Sequence, residues 1–77
     1  MTLTAPEWAE RFAAALGTTA PTEEERAQLL ELAGVAAHAS ERTAAPISCW
    51  LVARAGATPA EASRAAQALA RELEAGG

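Results

Sequence analysis

Three copies of the pattern Thr-x-x-Glu constrain this chain more than any other feature. They begin at Thr4, Thr22 and Thr58. Each is a capping box, in which the threonine oxygen accepts from the backbone N–H three residues on and the glutamate accepts from the cap N–H. Leu3 and Trp8 add a hydrophobic staple to the first box. The pattern predicts three helix starts and a mainly helical fold.

The sequence predicts one small all-α domain, a four-helix bundle covering residues 1–77. Capping boxes, glycine stops and Pro46 place the helices at about 5–16, 23–43, 46–55 and 59–74. Short connections favour antiparallel neighbours. Alanine occupies 23 of the 77 positions, so the helices pack closely around a thin core. A thin core makes association, with a second copy or another protein, a way to bury more surface.

Composition and charge exclude several function classes. The net charge is −4 and the six basic residues are scattered arginines, so we expect no nucleic-acid binding. The longest apolar stretch, residues 44–53, is about half of a membrane span. The opening residues MTLTAPEW lack the pattern of a secretion signal, and a single cysteine forms no internal disulfide. We expect a cytoplasmic protein.

The helix predicted to start at Pro46 differs from the other three because it is apolar around almost its whole circumference. Such a helix either lies at the centre of the bundle or shows one face to a partner. Pro46, Trp50 and Val52 are the candidate partner-binding residues, and the partner is another protein or a second copy. The simpler interpretation of Trp8 and Trp50 is that both pack in the core.

The junction before this helix is a candidate ligand site. Ala45 offers no capping oxygen, so the N–H groups of residues 47–49 are expected to need another partner. Arg42 lies a short turn earlier, and His38 lies one helical turn before Arg42. His38, Arg42 and Ser48 are therefore candidates to hold a phosphate or carboxylate at the positive end of the helix.

A purely structural interpretation of the same junction stays open. Thr43 or Ser48 can satisfy the free N–H groups, and Arg42 can pair with an acid such as Glu41. Helical spacing also places His38 and Arg42 opposite the apolar stripe of their helix, where solvent exposure is the default.

The residues do not predict catalysis, a metal site or a cofactor. Cys49 would need a base to act as a nucleophile, and His38 is the chain's one histidine, so a buried, inert thiol is expected. One histidine and one cysteine are too few for a zinc site. The final Gly76-Gly77 resembles the tail of ubiquitin-like carriers, but those have a β-grasp fold. We interpret the pair as a helix stop and a frayed end.

The central segment resembles a known family. It reads Ala36-Ala37-His38-x-x-x-Arg42-x-Ala44-Ala45-Pro46-Ile47, followed by Trp50-Leu51. This is similar to the pattern A-H-x-x-x-R-x-A-A-P-L-x-x-F-L of an uncharacterised small helical family of actinobacteria. The chain departs from it at Thr43, where proline is common, and at Ser48 and Cys49, where two threonines are common.

Members of that family occur alone or attached to proteins resembling the molybdenum-cofactor guanylyltransferase, which joins a GMP moiety to molybdopterin. The resemblance implies an accessory role in molybdenum cofactor biosynthesis or delivery, with a protein of that pathway as partner. It implies no enzymatic activity for the small domain itself. The motif residues that carry over by position are His38, Arg42 and Pro46.

Overall fold

The structure, a computed structural model, describes residues 2–76. Within this range the chain forms four α-helices and no strand, which confirms the predicted all-α fold. The interpretation of Gly77 as a frayed end lies outside the described residues. The helices are α1 (Ala5–Leu16), α2 (Glu23–Ala39), α3 (Ala44–Ala55) and α4 (Pro59–Ala75).

All three capping boxes form as predicted. At the start of α1 the Thr4 N–H donates to the Glu7 carboxylate at 2.8 Å, and the Glu7 N–H donates to the Thr4 hydroxyl oxygen at 3.2 Å. The boxes that begin at Thr22 and Thr58 show the same pair of bonds. Each helix that begins with a box therefore starts at its predicted residue.

Glycine ends α1 and α3 in the same way. Gly17 and Gly56 have φ of 75° and 70°, a left-handed conformation that a side chain would disfavour. The N–H of the following residue returns to a carbonyl five positions earlier, as in a Schellman motif. Gly76 also stops its helix, as predicted, but with φ of −76° and an N–H bonded to the Glu72 carbonyl.

The predicted boundary between the second and third helices was wrong. α2 ends at Ala39 instead of about residue 43, because Ser40 leaves helical geometry at φ −130° and ψ −101°. α3 begins at Ala44, two residues before Pro46. Pro46 is tolerated as the third residue of α3 because the first residues of a helix have no intrahelical acceptor for an N–H, so the N–H that proline lacks is not missed.

α2 is the central helix of the domain. It packs against both α3 and α4. Within residues 2–76, α3 and α4 have at most slight backbone contact with each other, and α1 has at most slight backbone contact with any other helix. Glu31 of α2 bonds with Ser63 and Gln67 of α4, and His38, near the end of α2, lines the same groove as Glu74, near the end of α4. α2 and α4 therefore run in the same direction.

The core is very thin. Leu32 is the one large hydrophobic side chain buried within the described residues, joined by Ala13 and Ala62. Trp8 is 57% exposed and Trp50 is 62% exposed, so the expectation that both pack in the core was wrong. The reason is that α1 buries alanine instead, and α3 has no buried residue at all. The helices thus leave most of their large apolar side chains at the surface.

Candidate functional site

The outer face of α3 is the first candidate surface. It consists of Pro46, Ile47, Trp50 and Arg54, which fall on one side of the helix at 100° per residue, and all four are exposed. Arg54 is the one charged residue of α3. Its guanidinium carbon lies 5.9 Å from the centroid of the Trp50 ring, within cation–π range. The result is an apolar patch that contains one cation.

Val52 does not share this face with Pro46 and Trp50. It is half-buried, and helical spacing puts it on the side of Ala44 and Ser48, which faces α2. The three residues proposed as one partner surface are therefore divided between two sides of α3. Ile47 and Arg54, absent from that prediction, join Pro46 and Trp50 instead.

The three predicted ligand residues lie around the α2–α3 junction. His38 is exposed in the last turn of α2 and Arg42 is exposed in the turn after it. Arg42 lies outside the helix, so the one-turn spacing that was expected to align it with His38 does not apply. Ser48 is half-buried on the inner side of α3.

The expectation that the N–H groups of residues 47–49 are all free at the start of α3 was wrong. Because α3 begins at Ala44, Ser48 and Cys49 lie within the helix, where each N–H faces a carbonyl four residues earlier. The first two N–H groups, of Ala44 and Ala45, donate to the Glu41 and Arg42 carbonyls at 2.9 and 3.2 Å. Ser48 and Cys49 therefore do not supply the open donors that the predicted anion site required, and of the three predicted donors the Ile47 N–H remains.

An open groove of about 500 Å³ lies beside His38. It runs between the last turns of α2 and α4, and its walls include Val35, Leu73 and Glu74. Its volume is within the range of small-molecule sites. The one histidine of the chain is thus placed at the edge of a concave surface that also carries a carboxylate.

Next to this groove is a trough of about 190 Å³. α2 forms its floor, and α3 and α4 form its two walls. Its lining has no charged residue, and its members include Leu32, Val35, Ala39, Ser48, Leu69 and Leu73. The trough exists because α3 and α4 pack on α2 and hardly touch each other.

A second apolar surface lies on α1. Trp8, Phe12 and Leu16 follow one another at every fourth position and are all exposed, and we call them the α1 stripe. The rings of Trp8 and Phe12 stack with centroids 5.6 Å apart and planes 16° apart. Ala13, on the flank of the stripe, is buried.

Sequence reasoning missed the polar cluster that joins α2 to α4. Glu31 Oε1 accepts from the Ser63 hydroxyl at 2.5 Å and from the Gln67 amide at 2.6 Å, and Ser63 is only 4% exposed. Ser63 and Gln67 are one turn apart on α4. That spacing is the sole sequence signal, and it does not reveal Glu31 as the acceptor.

The thiol of Cys49 is exposed, so the expectation that it is buried was wrong. It lies on the part of α3 that turns away from α2. Among residues 2–76 there is no group of three or more histidine, cysteine, aspartate or glutamate side chains placed to hold a metal ion. Over the same residues no helix is both long and apolar enough to cross a membrane.

Comparisons with known proteins identify the family alone. No curated protein and no solved structure is significantly similar to the chain. One family, described as a domain of unknown function, matches residues 2–76, which is nearly the whole sequence. The chain therefore belongs to the DUF6457 family.

Proposed function

We propose that this chain is a non-catalytic helical interaction domain that binds a protein of molybdenum cofactor biosynthesis or delivery. The pathway rests on the resemblance of the segment from Ala36 to Leu51 to actinobacterial domains that are fused to guanylyltransferase-like proteins. The proposed location is the cytoplasm. The mode of action is recognition through the outer face of α3.

The observation that carries this proposal is the exposure of Trp50 beside Arg54. The Trp50 indole is 62% exposed. Its burial by a partner is favourable because apolar surface is then removed from water. Tryptophan and arginine are also the residue types that most often dominate binding energy in interfaces. Pro46 and Ile47 extend the apolar area around the ring.

The chemistry of this face defines the partner surface. An apolar pocket is needed for the Trp50 ring and the Ile47 side chain, and a carboxylate is needed near the Arg54 guanidinium. A carboxylate there would make a charge-assisted hydrogen bond with Arg54, which is stronger than a neutral one. Because α3 carries no acidic residue, nothing on this helix would repel it.

Titration with a purified molybdenum-cofactor guanylyltransferase tests the proposal. We expect saturable amide shifts in the NMR spectrum of the labelled domain, centred on the outer face of α3. Trp50→Ala should weaken binding by about 30-fold or more, the loss typical of a dominant interface residue. Leu30→Ala is the matched control, because Leu30 is 72% exposed on α2 and outside this face. An absence of binding, or binding that Trp50→Ala leaves unchanged, would refute the proposal.

The second candidate function is binding of a phosphate-containing small molecule, such as a nucleotide or pterin phosphate. The groove of about 500 Å³ beside His38 favours it. The same labelled sample tests this candidate by addition of phosphate, GMP, GTP and a pterin phosphate. Saturable shifts at His38, Arg42 and Ser48 would support a ligand module, and silence at millimolar ligand would eliminate it.

A further inference from the structure

We infer that two copies of this chain associate, with the α1 stripe of each copy seated in the trough of the other. This contact is separate from the outer face of α3 that we assign to the partner protein. It is reciprocal, so one twofold axis relates two identical stripe-to-trough contacts and closes the assembly as a dimer.

The accessible surface of the chain is too large for a folded monomer of its mass. It measures 5970 Å² for a mass of 7.9 kDa. Folded monomeric proteins of that mass expose about 4,400 Å², which leaves an excess of about 1,600 Å² per chain. Covering this excess on two copies would bury about 3,000 Å² in total, within the range of obligate homodimers. A second copy seated on the stripe and the trough would supply a large part of this missing burial.

The trough is suited to apolar side chains. Its volume corresponds to about six water molecules at their share of liquid volume. Apart from Ser40 and Ser48, the side chains that line it are leucine, valine and alanine. Water held there has few hydrogen-bond partners, so its displacement by apolar groups is favourable.

The α1 stripe is already arranged to enter such a trough. Ala13 is the buried residue of α1, while Trp8, Phe12 and Leu16 are exposed beside it. The stack of Trp8 on Phe12 restricts both rings before any association. Less side-chain entropy is then lost on binding than for mobile side chains.

A second copy fits these surfaces better than an unrelated protein because the chain carries both halves of the contact. Neither half includes a charged residue. Each copy carries a net charge of −4, but the side chains that would form this contact include no carboxylate. The copy is also present whenever the chain is, which suits a surface that the fold itself needs to cover.

Sedimentation equilibrium over a range of concentrations tests the dimer. The full chain should show twice its mass of 7.9 kDa and dissociate on dilution. Phe12→Glu in the stripe and Leu73→Glu at the trough should each abolish the dimer. Loss of a dominant contact raises the dissociation constant by about 30-fold, and each residue occurs twice in the assembly, so we expect roughly 1,000-fold in total. Leu30→Glu, an exposed leucine outside both surfaces, should leave the dimer intact.

Circular dichroism checks that the two glutamate variants still fold. Because Phe12 and Leu73 are exposed, both variants should retain their helices, so a lost dimer would not be due to unfolding. Tryptophan emission gives an independent measurement. In Trp50→Phe, the remaining Trp8 should shift to shorter wavelength as the dimer forms, and Phe12→Glu should remove that shift. A single-chain mass at every concentration, or a dimer that survives both glutamate variants, would overturn the inference.

The two interactions fail independently. Trp50→Ala should weaken binding of the guanylyltransferase by about 30-fold or more and leave the dimer unchanged. Phe12→Glu should abolish the dimer and leave binding of the guanylyltransferase unchanged, because Phe12 lies on α1 and Trp50 lies on α3. Loss of dimer together with retained partner binding would therefore point to the stripe and trough alone.

Discussion

Glu31 joins two helices through a single oxygen atom. Its Oε1 receives both the Ser63 hydroxyl and the Gln67 amide, and the Gln67 amide nitrogen also lies 3.3 Å from the Ser63 oxygen. Ser63 is buried, so its hydroxyl depends on this acceptor. Helical spacing alone puts Gln67 away from the apolar side of α4 and Glu31 opposite the apolar stripe of α2. Only the parallel approach of α2 and α4 brings these residues together.

Glu31→Ala should destabilise the domain by about 1–3 kcal/mol, because it leaves a buried hydroxyl without its acceptor. The free energy of unfolding from urea denaturation measures this loss. Adding Ser63→Ala to the variant should recover part of it, since removal of both partners leaves no unsatisfied group. Glu10→Ala, at an exposed site in α1, is the control and should have little effect. If the double variant were less stable than Glu31→Ala, this account of the cluster would be wrong.

At the scale of the element, the ends of the helices follow from local sequence. Three starts and the two glycine stops depend on residues within five positions of each other. The α2–α3 boundary was mispredicted because it has no capping box. Thr43 makes no capping bond there, and its hydroxyl donates to Glu41 instead. Two backbone hydrogen bonds, from the N–H groups of Ala44 and Ala45 to the Glu41 and Arg42 carbonyls, form the start of α3 instead. The residue types in the turn do not predict these bonds.

The capping boxes should make the domain sensitive to acid. The backbone and hydroxyl hydrogen bonds of Thr4 hold the pKa of Glu7 below its ordinary value of 4.5, and Thr58 does the same to the pKa of Glu61. A carboxyl group whose pKa is lower in the folded state than in the unfolded state stabilises the fold when the pH is above its unfolded-state pKa. That contribution is lost as the pH falls through the folded-state pKa. The melting temperature should therefore fall as the pH drops below about 4.5.

Glu7→Gln combined with Glu61→Gln provides the control for this acid sensitivity. Glutamine also completes a capping box but does not titrate. The melting temperature of this variant should depend less steeply on pH over the acid range than that of the unmodified chain. Equal slopes for the two proteins would show that the boxes do not contribute to the acid response.

At the scale of the whole molecule, the helices are well formed, but most of their large apolar side chains are exposed to solvent. The described residues extend over 44 × 28 × 19 Å, and α2 is the one helix that packs extensively with two others. Leu32 lies on α2 and is 4% exposed. It borders the trough and is the central apolar contact of the domain.

Leu32→Ala should cost about 2–5 kcal/mol, the usual loss for a buried leucine. That is a large part of the roughly 4–12 kcal/mol expected for a domain of this length. We expect the urea concentration at the midpoint of unfolding, followed by circular dichroism, to fall clearly. Leu30→Ala, two residues away and 72% exposed, should change stability by less than about 0.5 kcal/mol. Similar effects of the two variants would show that Leu32 is not the centre of the core.

The sequence by itself determined the helical class, three of the helix starts and the main stops, because these depend on hydrogen bonds between near neighbours in the chain. It also singled out α3 as unusually apolar. Tertiary structure alone decided which faces are covered. It made α2 the central helix, exposed Trp8, Trp50 and Cys49, and separated Val52 from Trp50. Apolar periodicity shows that a face needs burial, but burial itself depends on how distant helices approach one another, and no local pattern records that approach.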